Sequence, residues 1–191
     1  MARLSERTLA DFLGGLVPAS EFGIDLDEIR YELGLVSPHD RGRALRAVAA
    51  CRGGIPPETV SRLLDWKEFE AFCADLLRAY GCLVTENIQL KRPRVQIDIF
   101  ARSSPIALVV DCKHIRRPAG PSAVSAWVVA QIRRARLLRM HVEEPSPFAS
   151  AILVLNDGQV RFASGGAVVP VFALRSFVDH LPDYSEFLQL V

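Results

Sequence analysis

Val95-Gln96-Ile97-Asp98-Ile99-Phe100-Ala101 and Ile106-Ala107-Leu108-Val109-Val110-Asp111-Cys112-Lys113 are two apolar runs joined by Arg102-Ser103-Ser104-Pro105. Both read as strands, whose side chains alternate between faces. Val95, Ile97, Ile99 and Ala101 then line one face, and Ile106, Leu108, Val110 and Cys112 do the same on the second strand. Asp98, Asp111 and Lys113 fall on the opposite face. If Ser103-Ser104-Pro105 turns the chain back, a symmetric register sets Asp98 opposite Asp111. Directly opposed side chains lie about 5 Å apart, and at an effective dielectric of about 20 two carboxylates at that distance repel by roughly 3 kcal/mol. Lys113 offsets part of that repulsion, and a divalent cation could offset the rest. The plainer alternative is a surface ladder of ion pairs on an edge hairpin.

Working outward, the helix before this hairpin opens with Asp65-Trp66-Lys67-Glu68, a capping box with Asp65 at N-cap and Glu68 at N3. Its apolar stripe is Trp66, Phe69, Cys73, Leu76, Leu77 and Tyr80, and Gly81 is its stop. Glu70 lies within that stripe. A carboxylate there costs several kcal/mol unless it is paired or metal-bound, so Glu70 either serves a metal site or snorkels to an arginine. Cys82-Leu83-Val84-Thr85-Glu86 is expected as a first strand. After the loop Pro118-Ala119-Gly120-Pro121, Ser122 is expected to cap a long helix to His141 that buries Val124, Trp127, Val128, Ala135 and Leu138. Gln131 falls on the same stripe. Strands are expected at 151–155 and 167–172, with 159–163 as an optional further one, and a closing helix at 174–181. The resulting order α-β-β-β-α-β-β-α predicts an α/β domain with a mixed sheet between helices.

The chain divides near Asp65, into a helical module over residues 1–64 and an α/β domain over 65–191. The module holds helical patterns at Leu4–Leu16, Leu26–Leu33, Arg41–Cys51 and Pro57–Leu64. It suits a helix-turn-helix or winged-helix-like unit, or a bundle used for packing, dimerisation or regulation.

Net charge is +1, yet between Glu86 and Met140 the acids are Glu86, Asp98 and Asp111 alone. The bases there are Lys91, Arg92, Arg94, Arg102, Lys113, Arg116, Arg117, Arg133, Arg134, Arg136 and Arg139. Such a basic surround of an acidic cluster fits a polyanionic substrate held over a metal site; ordinary solvated faces are the bland reading. Cys51, Cys73, Cys82 and Cys112 lack metal-ligand spacing and sit among apolar residues, as reduced cytoplasmic thiols do. No apolar run reaches the roughly 20 residues that cross a bilayer, and the first residues lack the apolar stretch of a signal peptide.

The ordered set Trp66-Lys67-Glu68-Phe69-Glu70, Gln96-Ile97-Asp98 and Asp111-Cys112-Lys113-His114 resembles the PD-(D/E)xK nuclease superfamily, with its restriction-endonuclease-like fold. The resemblance is nearest to the Mrr-type branch, with archaeal Holliday-junction resolvases as cousins, and spans about Asp65 to Phe172. It implies a Mg²⁺-dependent endodeoxyribonuclease of restriction or repair type, with Mn²⁺ able to stand in. Asp98, Asp111 and the backbone carbonyl of Cys112 would bind the metal, and Glu70 would complete or tune that site. Lys113 would orient or help deprotonate the attacking water, and Gln131 matches a polar residue that some branches carry on the following helix. Lys91, Arg92, Arg94, Arg116, Arg117, Arg133, Arg134 and Arg136 would hold DNA phosphates. Ile97 stands where the family's name has proline. The adjacent His114 reads as structural. Other readings on the same fold are a non-catalytic nucleic-acid-binding or regulatory protein, a junction resolvase and an RNA-processing nuclease. Double-strand cleavage would call for two sites, as in a homodimer.

Overall fold

The computed structural model describes residues 5–35, 42–115, 117, 119–155 and 158–191. Four short helices come first: α1 (Glu6–Leu13), α2 (Leu26–Glu32), α3 (Gly42–Arg52) and α4 (Pro57–Ser61). The expected starts at Leu4 and Arg41 lie outside the described residues. The α/β part follows as α5 (Trp66–Ala79), β1 (Leu83–Lys91), β2 (Arg94–Arg102), β3 (Ala107–Lys113), α6 (Pro121–Arg139), β4 (Phe148–Val154), β5 (Arg161–Ala163), β6 (Gly166–Pro170) and α7 (Leu174–Asp179). The mixed sheet runs β1-β2-β3-β4-β6-β5. Its β1/β2, β2/β3 and β5/β6 pairs are antiparallel; β3/β4 and β4/β6 are parallel. The α/β class is the one expected, and the observed order α-β-β-β-α-β-β-β-α has one strand more, because β5 forms within the optional stretch 159–163.

The two faces of the sheet bury different helices. Ile99, Ala101, Leu108, Val110 and Cys112 join α5, α7 and the N-terminal helices in one continuous apolar cluster. Ala107, Val109, Phe148, Ile152 and Val168 pack beneath α6 with Val128, Ile132, Ala135 and Leu138. The helical module thus shares its core with α5, and Arg43 of α3 donates to the carbonyl of Leu63 at 2.6 Å and pairs with Glu68. No strand occurs among the described residues before Trp66, so a winged-helix reading lacks its wing there.

Several local expectations change. Asp65 and Glu68 form the capping box, but Trp66 is exposed, and Phe72 takes a place in the core instead. Helix α6 begins at Pro121 with Gly120 as N-cap, not at Ser122, because proline at the first position already presets the helical φ. Trp127 is only partly buried. β1 runs on to Lys91, where its side chains alternate between exposed and half-buried, so apolar content alone conceals it.

Gly166 sets how closely α6 approaches the sheet. A Cβ there would lie 2.6 Å from Val128 Cγ1 and 3.0 Å from the Ser150 carbonyl. Gly166→Ala is expected to lower stability by about 1–3 kcal/mol through overpacking, read as a lower urea midpoint with an unchanged slope.

Candidate active site

The site forms where β2 and β3 part. These strands pair from Ile99–Val110 to Ala101–Leu108, and Ser103 Oγ closes the turn by donating to the Ile106 carbonyl at 2.7 Å. One further step in this register sets Asp98 opposite Asp111, as the hairpin symmetry predicts. There the ladder stops, and Asp98 Oδ2 instead accepts the backbone N–H of Cys112 at 2.9 Å.

The β1–β2 ladder breaks at the same level. Glu86–Ile99 and Ile88–Ile97 pair in one register, but Asn87 between them adopts φ 50° and stays outside the ladder. Across this break the apolar residues change sides. Ile99 and Ala101 face the α5 core, whereas Ile97 and Val95 pack toward α6. This corrects the expectation of one apolar face from Val95 to Ala101, since strict alternation assumes an unbroken pleat. Asp98 consequently lines a cleft of about 410 Å³ with Lys67, Glu70, Glu86, Asn87 and Gln96.

Asp111 occupies the α6 side of β3 and is buried. Both of its oxygens are engaged: Oδ2 by Lys113 Nζ at 2.6 Å, and Oδ1 by Arg134 Nη1 at 2.7 Å. Arg134 also donates to Gln131 Oε1 at 3.1 Å. Gln131 is fully buried, and its Nε2 has no hydrogen-bond partner, so it offers a spare donor beside the acidic pair.

Electrostatics bind Glu70 to this group. Burial pushes its pKa from the ordinary 4.5 up to about 7, and the charges of Asp98 and Asp111 push the same way against Lys113 and Lys67. Asp98 is likewise raised, first by burial, with the Cys112 N–H opposing. Two carboxyls that resist ionisation beside a third are stabilised as anions by a nearby cation. The oxygen donors of Asp98 and Asp111, with a main-chain carbonyl between the latter and Lys113, suit a hard divalent ion such as Mg²⁺. Among the described residues no group of three His, Cys, Asp or Glu side chains could hold a metal ion together, and Glu70 is coupled to the pair by charge.

A raised carboxyl pKa gives a definite pH dependence. Below about pH 4.5 Glu70 is neutral in both folded and unfolded chains and carries no penalty. As pH rises toward 7 the unfolded chain releases its proton first, and stability falls. Glu70→Gln lacks this penalty. Its melting temperature is expected to overtake that of the parent chain between about pH 5 and 8, by the equivalent of about 1 kcal/mol once solvent screening of this half-exposed group is allowed for. Parallel melting curves across that range would show that Glu70 ionises at its ordinary value in the folded chain.

The basic residues are distributed unevenly. Lys91, Arg92 and Arg94 are exposed at the β1–β2 turn, Arg117 is exposed beyond β3, and Arg133 and Arg136 are exposed on α6. Arg116 lies outside the described residues. Arg139, one of the bases around the acidic cluster, is otherwise occupied: it donates to the carbonyls of Glu144 and Ser146 and stacks on Phe148. His114 Nε2 meets the Ser61 carbonyl at 3.0 Å and its ring packs on Phe69, contacts that agree with a structural reading. The cysteines are free; Cys73, Cys82 and Cys112 are buried and Cys51 half-buried, and burial pushes the thiol of Cys51 up to about 12.

Sequence reasoning missed two ionic links. Asp75 is fully buried on α5 and pairs with Arg78, which also reaches Glu86 on β1 at 2.6 Å. It is the polar residue at a core position that a stripe drawn from apolar residues passes over. The second is Arg134, assigned to phosphates by its charge, whose helical spacing from Gln131 aims it at Asp111.

A six-stranded mixed sheet between helices, with D-x-K on a strand that parts from its neighbour, is a restriction-endonuclease-like fold. Residues 61–137 match the family model described as a restriction endonuclease, the Mrr catalytic domain. The match spans less than half of the chain but contains Glu70, Asp98, Asp111, Lys113, Gln131 and Arg134. Over that segment the resemblance to Mrr-type PD-(D/E)xK nucleases is borne out. No curated protein matches the chain. No helix among the described residues is long and apolar enough to cross a membrane.

Proposed function

We propose that the chain is a Mg²⁺-dependent endodeoxyribonuclease that hydrolyses DNA phosphodiester bonds in the cytoplasm. The observation that carries this reading is the electrostatic coupling of Glu70, Asp98, Asp111 and Lys113 where β2 and β3 part, with Lys113 paired to Asp111. When bound, the metal would polarise the phosphoryl oxygens and acidify the attacking water. Asp98 and Asp111 would hold it, with Mn²⁺ as a substitute.

The rest falls to side chains of this protein. Lys113, fixed on Asp111, presents an ammonium that orients the water and balances negative charge building on the phosphorus oxygens. Glu70, raised to about 7, is poised to exchange a proton near neutral pH. Gln131 Nε2 supplies a neutral donor. Exposed Lys91, Arg92, Arg94, Arg117, Arg133 and Arg136 supply the salt-sensitive hold on the backbone. A homodimer would bring two such sites to the two strands of a duplex.

The test is a cleavage panel with Mg²⁺ or Mn²⁺ over supercoiled, linear, methylated, single-stranded and four-way-junction DNA and structured RNA. Nicking or cutting of DNA that vanishes in Asp111→Ala supports the reading. Preferential cutting of the junction or the RNA would move the substrate assignment. DNA binding without cleavage of any substrate would favour the non-catalytic reading.

A further inference from the structure

Arg134 stands between two environments. Its Nη1 holds Asp111 Oδ1 at 2.7 Å, while its side chain, 35% exposed, also lines a groove of about 860 Å³ between the β1–β2 hairpin and α6. Arg94 and Arg133 line that groove too, with Ser125 and the apolar Val95 and Val129. No acidic residue lines it among the described residues. An occupant matched to these walls carries negative charge along an edge and apolar surface beneath, as a DNA strand does.

Asp111 has no free oxygen in this arrangement, since Lys113 takes Oδ2 and Arg134 takes Oδ1. A divalent cation approaching Oδ1 meets the guanidinium as a competitor of like charge. An anion in the groove draws the guanidinium the other way, and a half-exposed arginine reaches it by side-chain rotation alone.

We propose that this groove seats the DNA strand beside the scissile phosphate, and that Arg134 couples it to the cation site by leaving Asp111 for a strand phosphate. Strand binding then strengthens cation binding, and by linkage cation binding strengthens strand binding to the same degree. Arg134 is thus a positioning residue that keeps Asp111 closed to cations until a strand arrives. This rests on the nuclease reading and adds an order of events to it.

The experiment measures Ca²⁺ affinity of the full chain by calorimetry, alone and saturated with a single-stranded oligodeoxynucleotide. In the parent chain the oligonucleotide is expected to tighten Ca²⁺ binding about tenfold. In Arg134→Ala, with Arg134→Gln in parallel as the milder replacement, Ca²⁺ binding without DNA is expected to tighten by a similar factor, and the effect of the oligonucleotide to shrink below about twofold. A merely structural arginine would not improve cation binding when removed. The double variant Arg94→Ala/Arg133→Ala is expected to weaken the oligonucleotide and leave Ca²⁺ affinity in its absence unchanged.

Unaltered Ca²⁺ affinity and undiminished coupling in both Arg134 variants would overturn the proposal, as would wild-type oligonucleotide binding in the double variant. If the parent chain cuts DNA with Mg²⁺ but shows no coupling, this inference alone fails. If it neither cuts DNA nor binds the cation, the nuclease reading fails with it.

Discussion

Asp111→Asn is expected to abolish metal-dependent strand cleavage, lowering the single-turnover rate by about three orders of magnitude or more. Asparagine keeps the shape of the side chain, so the loss isolates its charge. Asp111 is 5% exposed and is the shared partner of Lys113 and Arg134. A neutral amide cannot hold both cations, is a poor ligand for a hard ion, and brings an N–H₂ donor toward groups that are themselves donors. The fold should survive, because the side chains of Lys113 and Arg134 are 30% and 35% exposed and can turn to water. A stability loss of about 1–3 kcal/mol is expected for the broken buried hydrogen bonds. Circular dichroism confirms the fold in the same preparation. Retention of more than about a tenth of the parent rate would place the chemistry elsewhere.

Lys113→Gln is expected to lower the cleavage rate by about two to three orders of magnitude while changing DNA affinity by less than about threefold. Lys113 is held on Asp111 by an ion pair of 2.6 Å, and its reach is spent on that carboxylate rather than on a distant phosphate. Its contribution therefore belongs to the reacting centre. Lys113→Arg should not restore the rate. A guanidinium is planar and permanently charged, whereas an ammonium is compact and able to release a proton. Single-turnover rates and equilibrium binding, measured on the same oligonucleotide, separate the two effects. Equal losses in rate and affinity would recast Lys113 as one more phosphate contact.

The charges of the candidate site stand out in the chain because they break a pattern. Asp98, Asp111 and Lys113 interrupt apolar strands, and Glu70 interrupts an apolar helix stripe. Each anomaly is local, detectable from a few neighbours and the period of one element. The register that opposes Asp98 to Asp111 was equally accessible, since a short turn leaves little freedom in how a hairpin closes. The switch of sides at Asn87 and Asp98 was not accessible. It depends on a backbone conformation that the alternation rule does not carry, and its outcome is that Asp98 reaches Cys112 N–H and the cleft beside Glu70.

The basic residues show the same boundary from the other side. Their number and sign are in the sequence, but their partners are not. Arg134 meets Asp111, Arg139 secures the 144–146 turn, and Arg94 and Arg133 remain beside the groove. Nothing in a list of charges separates these roles, because each is decided by which helix face meets which strand. Asp75 is the counterpart among acids, hidden inside α5 with Arg78.

By itself the sequence determined the α/β class, the capped helix before the hairpin and the register that sets Asp98 opposite Asp111. These follow from short-range periodicity and from the short turn that closes the hairpin. Only the tertiary structure decided that the helical module shares one core with α5, that β2 and β3 part at Asp98, and that Arg134 closes on Asp111. Those depend on distances between residues far apart in the chain, which packing sets and local pattern cannot.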